Sequence, residues 1–410
     1  MLKMKWISGV LKALFIIPFV WIAVQLIVPS EQADAISKDH ELVSRLNFIE
    51  DELKNNHLGK RMQVLFPEGY VFFHAIYGLS WCELYHKTND KSLKKRAYLE
   101  AVYAFKSIHS KEGKQFFQKH LTPEYGIYYK GWSNYLLSKI IACKGRLESN
   151  QELILLYDKN CSEITQALKN SKTPYLESYT FDCWPADNFV AIASLKHHNE
   201  FKKTISDWIP KVKERLDPYT GIIPHKFDAL SDSIIEGSRG CSSSLSLLLL
   251  SEIDSSFAWN QAKKYEEYFL FNRFGFPAIR EYPKGIKGSG DIDSGPVIFD
   301  VGFAGTIVGI GAIKKLGYSN LSDKLYNTVC AFGFETGLNK KKVLGGIMPM
   351  GDAFLTWSRL QSPKFNFEVE YQSSFTAVWF YIFVVIVLLF MYPSIRQKVL
   401  VFPTNFSNRK

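Results

Sequence analysis

The feature that most constrains this chain is an internal repeat. Six times a small or polar loop motif runs into an apolar stretch long enough for a helix, starting near Gly69, Gly126, Trp184, Ser238, Ser294 and Gly345. Successive starts are roughly 50 to 58 residues apart, a length that suits two helices and their loops. Ahead of each apolar stretch lies a segment polar on one face and apolar on the other, over 39–53, 92–108, 151–168, 200–216, 257–271 and 321–334. In the fourth, Lys202, Lys203, Asp207 and Lys211 interleave with Ile205, Trp208, Ile209 and Val212. An amphipathic helix sits at a surface, whereas a helix apolar all round is enclosed. Six outer–inner hairpins close a ring, so the expected fold is all-α, an (α/α)6 toroid spanning 36–362. An open solenoid of similar period is the alternative. The placement of every polar motif just before an inner helix favours the ring.

Apolar residues make up 47% and aromatics 15% of the 410 residues, which excludes a disordered chain. The formal charge of +10 is dispersed, with no run of five basic residues, so nucleic acid is not an expected partner. There is no P-loop, dinucleotide fingerprint, GxSxG or HExxH, and no Cys/His cluster has zinc spacing. No metal or cofactor is expected. The six cysteines form no CxxC and read as buried free thiols, although one bridge stays open if the domain lies outside the cytoplasm.

Two further apolar segments flank the repeats. Residues 6–28 are long enough to span a bilayer, with Lys12 near one end where its stem can snorkel. Residues 375–392 carry no charge. Short basic tails (1–5 and 393–410) lie beyond them, and acidic residues face the repeats. The positive-inside rule then places both tails in the cytoplasm and the toroid on the extracytoplasmic, periplasmic side, with the lipid bilayer as a partner. In a competing reading the first segment is a signal peptide cleaved near Ala33 to Ala35.

In such a ring the inner helices run parallel, so the loops entering them line one funnel and their dipoles bias it positive. Those loops are rich in reactive groups: Glu68; Tyr129, Trp132 and Asn134; Tyr179, Cys183, Trp184, Asp187 and Asn188; Glu236 and Arg239; Asp291 and Asp293. Each has an ordinary structural alternative. Asp187 can cap or charge a helix N-terminus. Asp291 and Asp293 can cap a helix after Pro296, and Arg239 can pair with Glu236. The aromatics can simply fill core. Convergence of five polar loops at one mouth is what favours a site, because carboxylates clustered in an aromatic funnel equip acid/base chemistry.

With WPADN before the third inner helix, EGSRGCSSS before the fourth and GDIDSGP before the fifth, the chain resembles two groups of toroids. One comprises the (α/α)6 glycoside hydrolases and polysaccharide lyases. The other, closer in motif style, is the linalool dehydratase/isomerase-like family. The likeness covers roughly residues 40 to 360 and implies a pocket of aromatic, Cys, Asp and His side chains at the ring mouth. Cys183 and Asp187 fall in the matching segment.

Two enzyme readings and one non-enzyme reading follow. In the first, a glycan is cleaved with Asp187 and Asp293 as the acid/base pair and Asp291 or Glu236 in reserve. Trp132, Trp184, Tyr129, Tyr179, Asn188 and His225 would contact substrate, and Arg239 would hold an anionic group. In the second, a dehydratase or isomerase acts on an apolar, terpenoid or lipid-like alcohol through Tyr179, Cys183 and Asp187. In the third, the toroid only binds a glycan or scaffolds an envelope complex.

Overall fold

The computed structural model describes residues 16–26, 35–148, 150–365 and 378–387. Between residues 35 and 365 the chain alternates outer and inner helices. The outer set is α1 (Ala35–Lys54), α4 (Lys91–Ile108), α7 (Gln151–Asn170), α9 (Lys202–Lys213), α11 (Ser255–Tyr268) and α13 (Ser319–Gly333). The inner set is α3 (Gly69–Lys87), α6 (Gly126–Glu148), α8 (Pro185–Leu195), α10 (Gly240–Ile253), α12 (Phe303–Lys315) and α14 (Pro349–Leu360). Two short helices, α2 (Leu58–Leu65) and α5 (Lys111–Lys114), lie in the first two connections. Each inner helix packs on the next, and α14 returns to pack on α3. That cyclic contact order is a closed ring of six hairpins, not an open solenoid.

Helix starts follow local chemistry. Asp90 caps α4 by accepting from the amides of Ser92 and Leu93, Asn150 caps α7, and Asp254 caps α11. The inner helices pack closely because glycine and serine sit at their contacts. A Cβ on Gly305 of α12 would lie 3.1 Å from the Gly240 carbonyl carbon of α10, and one on Gly240 would meet the Arg280 carbonyl oxygen at 1.9 Å. Ser244, buried on α10, donates to the Gly240 carbonyl at 2.7 Å, so its hydroxyl costs little to enclose. Trp132 and Trp357 are buried and meet between the inner helices, while Trp81 is buried under Arg96 of the outer helix α4.

The two ends of the ring differ electrostatically. At the C-terminal ends of the inner helices, the buried Glu252 pairs with Lys139 (3.2 Å) and Lys315 and accepts from Tyr135 (3.0 Å). Burial alone would raise the Glu252 pKa, but the two lysines hold it well below the usual carboxylate range. Cations there match the negative ends of the dipoles. A second buried cluster ties the last hairpin to the first: Arg45 of α1 donates to Tyr326 of α13 at 2.8 Å and pairs with Glu335.

Two expectations are corrected. The fifth inner helix starts at Phe303, not near Ser294, and the sixth at Pro349, not Gly345. Positive φ at Gly295, Phe299 and Asp300, and at Gly345 and Gly346, is incompatible with a continuing helix. The connections also hold three antiparallel two-stranded ribbons: β1 (Lys226–Asp228) with β2 (Ser233–Glu236), β3 (Leu270–Arg273) with β4 (Phe276–Ile279), and β5 (Val297–Ile298) with β6 (Val301–Gly302).

Among the described residues no helix is long and apolar enough to cross a membrane. The two flanking apolar segments fall partly outside the described residues. The parts inside, 16–26 and 378–387, are helical and pack on the toroid, where Leu26 and Tyr381 share an apolar cluster with Phe276 and Ala331. The terminal tails lie outside the described residues. All six cysteines are free.

Candidate functional site

At the N-terminal ends of the inner helices lies a cavity of about 570 Å³. Its polar lining comes from four connections: Glu68; Tyr179 and Asp187; His225, Cys241 and Ser242; and Asp291 and Asp293. Met62, Phe66, Phe72, Phe303, Ile307 and Phe354 supply apolar wall.

Asp187 stands in the first turn of α8 but does not cap it. Its Oδ2 accepts from Ser178 Oγ at 2.6 Å. Burial pushes its pKa up, and the charges of Glu68 and Asp293 add to that. The Ser178 hydroxyl and the Trp132 indole oppose it without prevailing, leaving the group at about 8. A carboxyl on a helix N-terminus is thus kept protonated near neutrality, because desolvation outweighs the dipole.

Asp293 is exposed at the cavity yet has protein packed around it. Burial raises its pKa, Asp291 and Glu68 raise it further, Arg239 lowers it, and it lies at about 6. Glu68 accepts from Tyr179 at 3.1 Å, and burial shifts its pKa upward. Tyr128, on the cavity wall, has a buried hydroxyl without a hydrogen-bond partner among the described residues.

Asp291 has a different role. Burial raises its pKa, but the Arg239 guanidinium outweighs this and brings it down to about 2. Arg239 donates to both Asp291 oxygens and, through Nε, to Glu281 at 2.8 Å. Asp291 Oδ1 also accepts from the amides of Asp293 and Ser294 at 3.1 and 3.0 Å. It therefore fixes the loop that presents Asp293. His225 is held neutral, at about 3, by burial and the adjacent Arg239 charge. Its Nε2 lies 3.5 Å from Arg239 Nη1, so Nε2 accepts and Nδ1 donates to Ser242 Oγ at 3.0 Å. His225, Asp291 and Asp293 offer ligand atoms within 4.8 Å of one another. A metal ion there would compete with the guanidinium that already neutralises Asp291.

The structure thus brings Asp187, Asp293, Asp291, Tyr179, Trp184 and His225 to one cavity. The remaining sequence candidates do not line it. Glu236, at the end of β2, stands 3.4 Å from Arg239. Arg239 lies behind Asp291. Trp132 is sealed beneath the floor against Trp357, with ring centroids 6.3 Å apart. Tyr129 donates to the Ile108 carbonyl at 3.2 Å, and Asn188 bonds both the amide and the carbonyl of Leu176. Cys183 is buried, with its thiol donating to the Leu176 carbonyl at 3.2 Å. Backbone bonding accounts for Tyr129, Cys183 and Asn188, whose polar atoms satisfy main-chain groups of the neighbouring connections, and ion pairing accounts for Glu236 and Arg239.

Two groups escaped the sequence reading. Cys241, not Cys183, presents a thiol to the cavity, and it donates to Glu281 at 3.0 Å. Glu281 is fully enclosed; burial raises its pKa to about 7 against the pull of Arg239 and Cys241. Glu281 sits in a stretch without motif character, so no pattern marks it.

No protein-family model and no curated protein sequence matches the chain. Among solved structures, it is similar to a GH76 alpha-mannanase of Bacteroides thetaiotaomicron. The identity is 12% and the TM-score 0.41, over 71% of this chain and 84% of that one. At that level the likeness decides neither fold nor chemistry; the ring rests on the helix contacts given above.

Proposed function

We propose that the chain is an acid/base enzyme acting on a glycan, of the hydrolase or lyase type, with Asp187 as acid and Asp293 as base or nucleophile. The observation that carries this reading is that two carboxyls line one cavity in unequal settings, Asp187 buried and bonded to Ser178 and Asp293 exposed beside Asp291. Burial keeps Asp187 protonated at neutral pH, with its pKa at about 8, while Asp293, at about 6, is mostly ionised. A pair of carboxyls whose environments push them apart is what general acid and general base require. With Ser178 bonded to Oδ2, Oδ1 is left to carry the proton toward a leaving oxygen. Asp291, fixed by Arg239, holds the loop of Asp293 in place and raises its basicity. Trp184 and Tyr179 supply aromatic wall against which a sugar ring can pack.

A second reading draws on the apolar wall and the Cys241 thiol. The same proton donor could protonate the hydroxyl of an apolar alcohol while a neighbouring base removes a proton, as dehydration requires. The membrane anchoring foreseen from residues 6–28 and 375–392, with the toroid on the extracytoplasmic side, belongs to this proposal as well.

The test is turnover of fluorescently end-labelled glycans and of terpenoid alcohols by the full chain, read by chromatography. Asp187→Asn and Asp293→Asn should each lower turnover by about 10²-fold or more while both variants stay folded by circular dichroism. Full activity in either variant would overturn the pair. Turnover of alcohols alone would replace the first reading by the second.

A further inference from the structure

Apolar side chains on the surface of this toroid are not scattered. Among the described residues between 40 and 365, the exposed large apolar side chains other than Leu99 and Leu155 lie at or between the end of an outer helix and the inner helix that follows. These connections build the end of the ring where the cavity opens. Leu65, Ile292 and Ile347 both line the cavity and stand exposed, Ile347 at 84%. Monomeric soluble proteins seldom gather such residues at one place without a partner.

The strip runs on from the mouth to the flanking helical segments. From Ile292 the chain leads through Pro296, on the cavity wall, to the β5–β6 turn, where Ile298 and Phe299 are exposed. Phe299 meets Phe274 of the β3–β4 turn edge to face, with centroids 5.2 Å apart. The Phe274 carbonyl accepts from Tyr381 at 3.0 Å. On the other side of this contact, Trp21 donates to the Cys330 carbonyl at 3.0 Å and stacks on Phe334. Both segments turn further apolar side chains outward, among them Ile17, Val24, Phe380 and Phe383.

We propose that the cavity mouth rests on a lipid bilayer and draws its substrate from it, so that the substrate is an amphiphile: a hydroxyl-bearing, sugar-like head on a lipid chain. The two flanking segments supply the argument for lipid as the occupant, because they are apolar, they dock beside the mouth, and their outward faces continue its rim. The cavity suits such a molecule, with Asp187 and Asp293 for the head and Met62, Phe66, Phe303 and Ile307 for the first part of the chain. This rests on reading the cavity as an active site and the flanking segments as membrane-embedded.

The experiment places single environment-sensitive fluorophores on the full chain reconstituted in phosphatidylcholine–phosphatidylglycerol vesicles that contain doxyl-labelled lipid. The positions are Ile347→Cys and Phe299→Cys at the rim, Leu155→Cys on the side, Ser362→Cys at the opposite end and Phe383→Cys in the flanking segment. The native chain, labelled in parallel, gives the background, and melting temperatures verify folding. The expected result is a blue-shifted, quenched signal at 347, 299 and 383 and an unquenched, water-like signal at 155 and 362. Quenching at 383 without quenching at 347 and 299 overturns the proposal, as it leaves the rim to a second copy or another protein. Equal quenching at 362 and 347 overturns it too. Neither readout depends on turnover, so a failure here is separate from a failure of the acid/base assignment.

Discussion

Ser178 donates a 2.6 Å hydrogen bond to the buried carboxyl of Asp187. The bond braces the carboxyl and also moderates it, since a donor to the charged form opposes the rise caused by desolvation. Ser178→Ala should therefore raise the Asp187 pKa further, not lower it. A hydrogen bond to a charged group is worth about 1.5–3 kcal/mol, or roughly one to two pKa units. The alkaline limb of the pH–rate profile, which reports loss of the acid's proton, should move upward. A downward move would mean that Ser178 does not act on this group.

The same carboxyl makes stability depend on pH. Its folded pKa of about 8 lies above the ordinary carboxylic value. The folded state thus holds a proton that the unfolded chain releases, and this contribution is fully present below about pH 4 and lost as pH rises through 8. The slope is about 1.4 kcal/mol per pH unit in that window. Asp187→Asn cannot ionise, so its melting temperature relative to the native chain should climb steadily between about pH 4 and pH 8. A gap independent of pH would contradict a buried, protonated Asp187.

Arg239 is a keystone between Glu281 and Asp291. Arg239→Met leaves Glu281, which is fully enclosed, without its cation. Removing one partner of a buried pair costs about 3–5 kcal/mol, which urea unfolding can measure. Lysine should not rescue, because it cannot reach both carboxylates with a fork of N–H groups. Rescue by lysine would show that only the charge matters.

At Gly240, where α10 begins, a methyl group would meet the Arg280 carbonyl oxygen at 1.9 Å. Gly240→Ala should lose about 3 kcal/mol or more, the upper end of overpacking, and disturb the loop that carries Glu281. A near-neutral unfolding curve would show that the two segments are not so close.

Much of the ring was legible because periodicity survives weak similarity. The alternation of Lys203 and Asp207 with Ile205 and Trp208 marks an outer helix at sight. Helix starts preceded by glycine pairs were harder. Gly345 and Gly346 read as a helix entrance, yet their positive φ makes them a turn that ends before Pro349. The site was legible where a carboxylate sits in a short polar motif, as Asp187 does. It was illegible where a long connection decides whether a side chain faces the cavity or braces a loop. Cys183 and Cys241 carry the same chemistry in similar settings, and only the three-dimensional path separates them. Glu281 was hidden because its importance comes from Arg239, 42 residues away.

The proposed acid/base pair requires one cavity to hold Asp187 and Asp293 in opposite protonation states at neutral pH. Infrared titration of carboxyl bands, with Asp187→Asn and Asp293→Asn to assign them, reads this without any substrate. A protonated carboxyl band that disappears in Asp187→Asn should be present at neutral pH and should titrate near 8, while the Asp293 band should already have converted to carboxylate near 6. If both groups titrate together near the ordinary carboxylic value of about 4, the cavity has no acid to donate and Asp187 is not the proton donor.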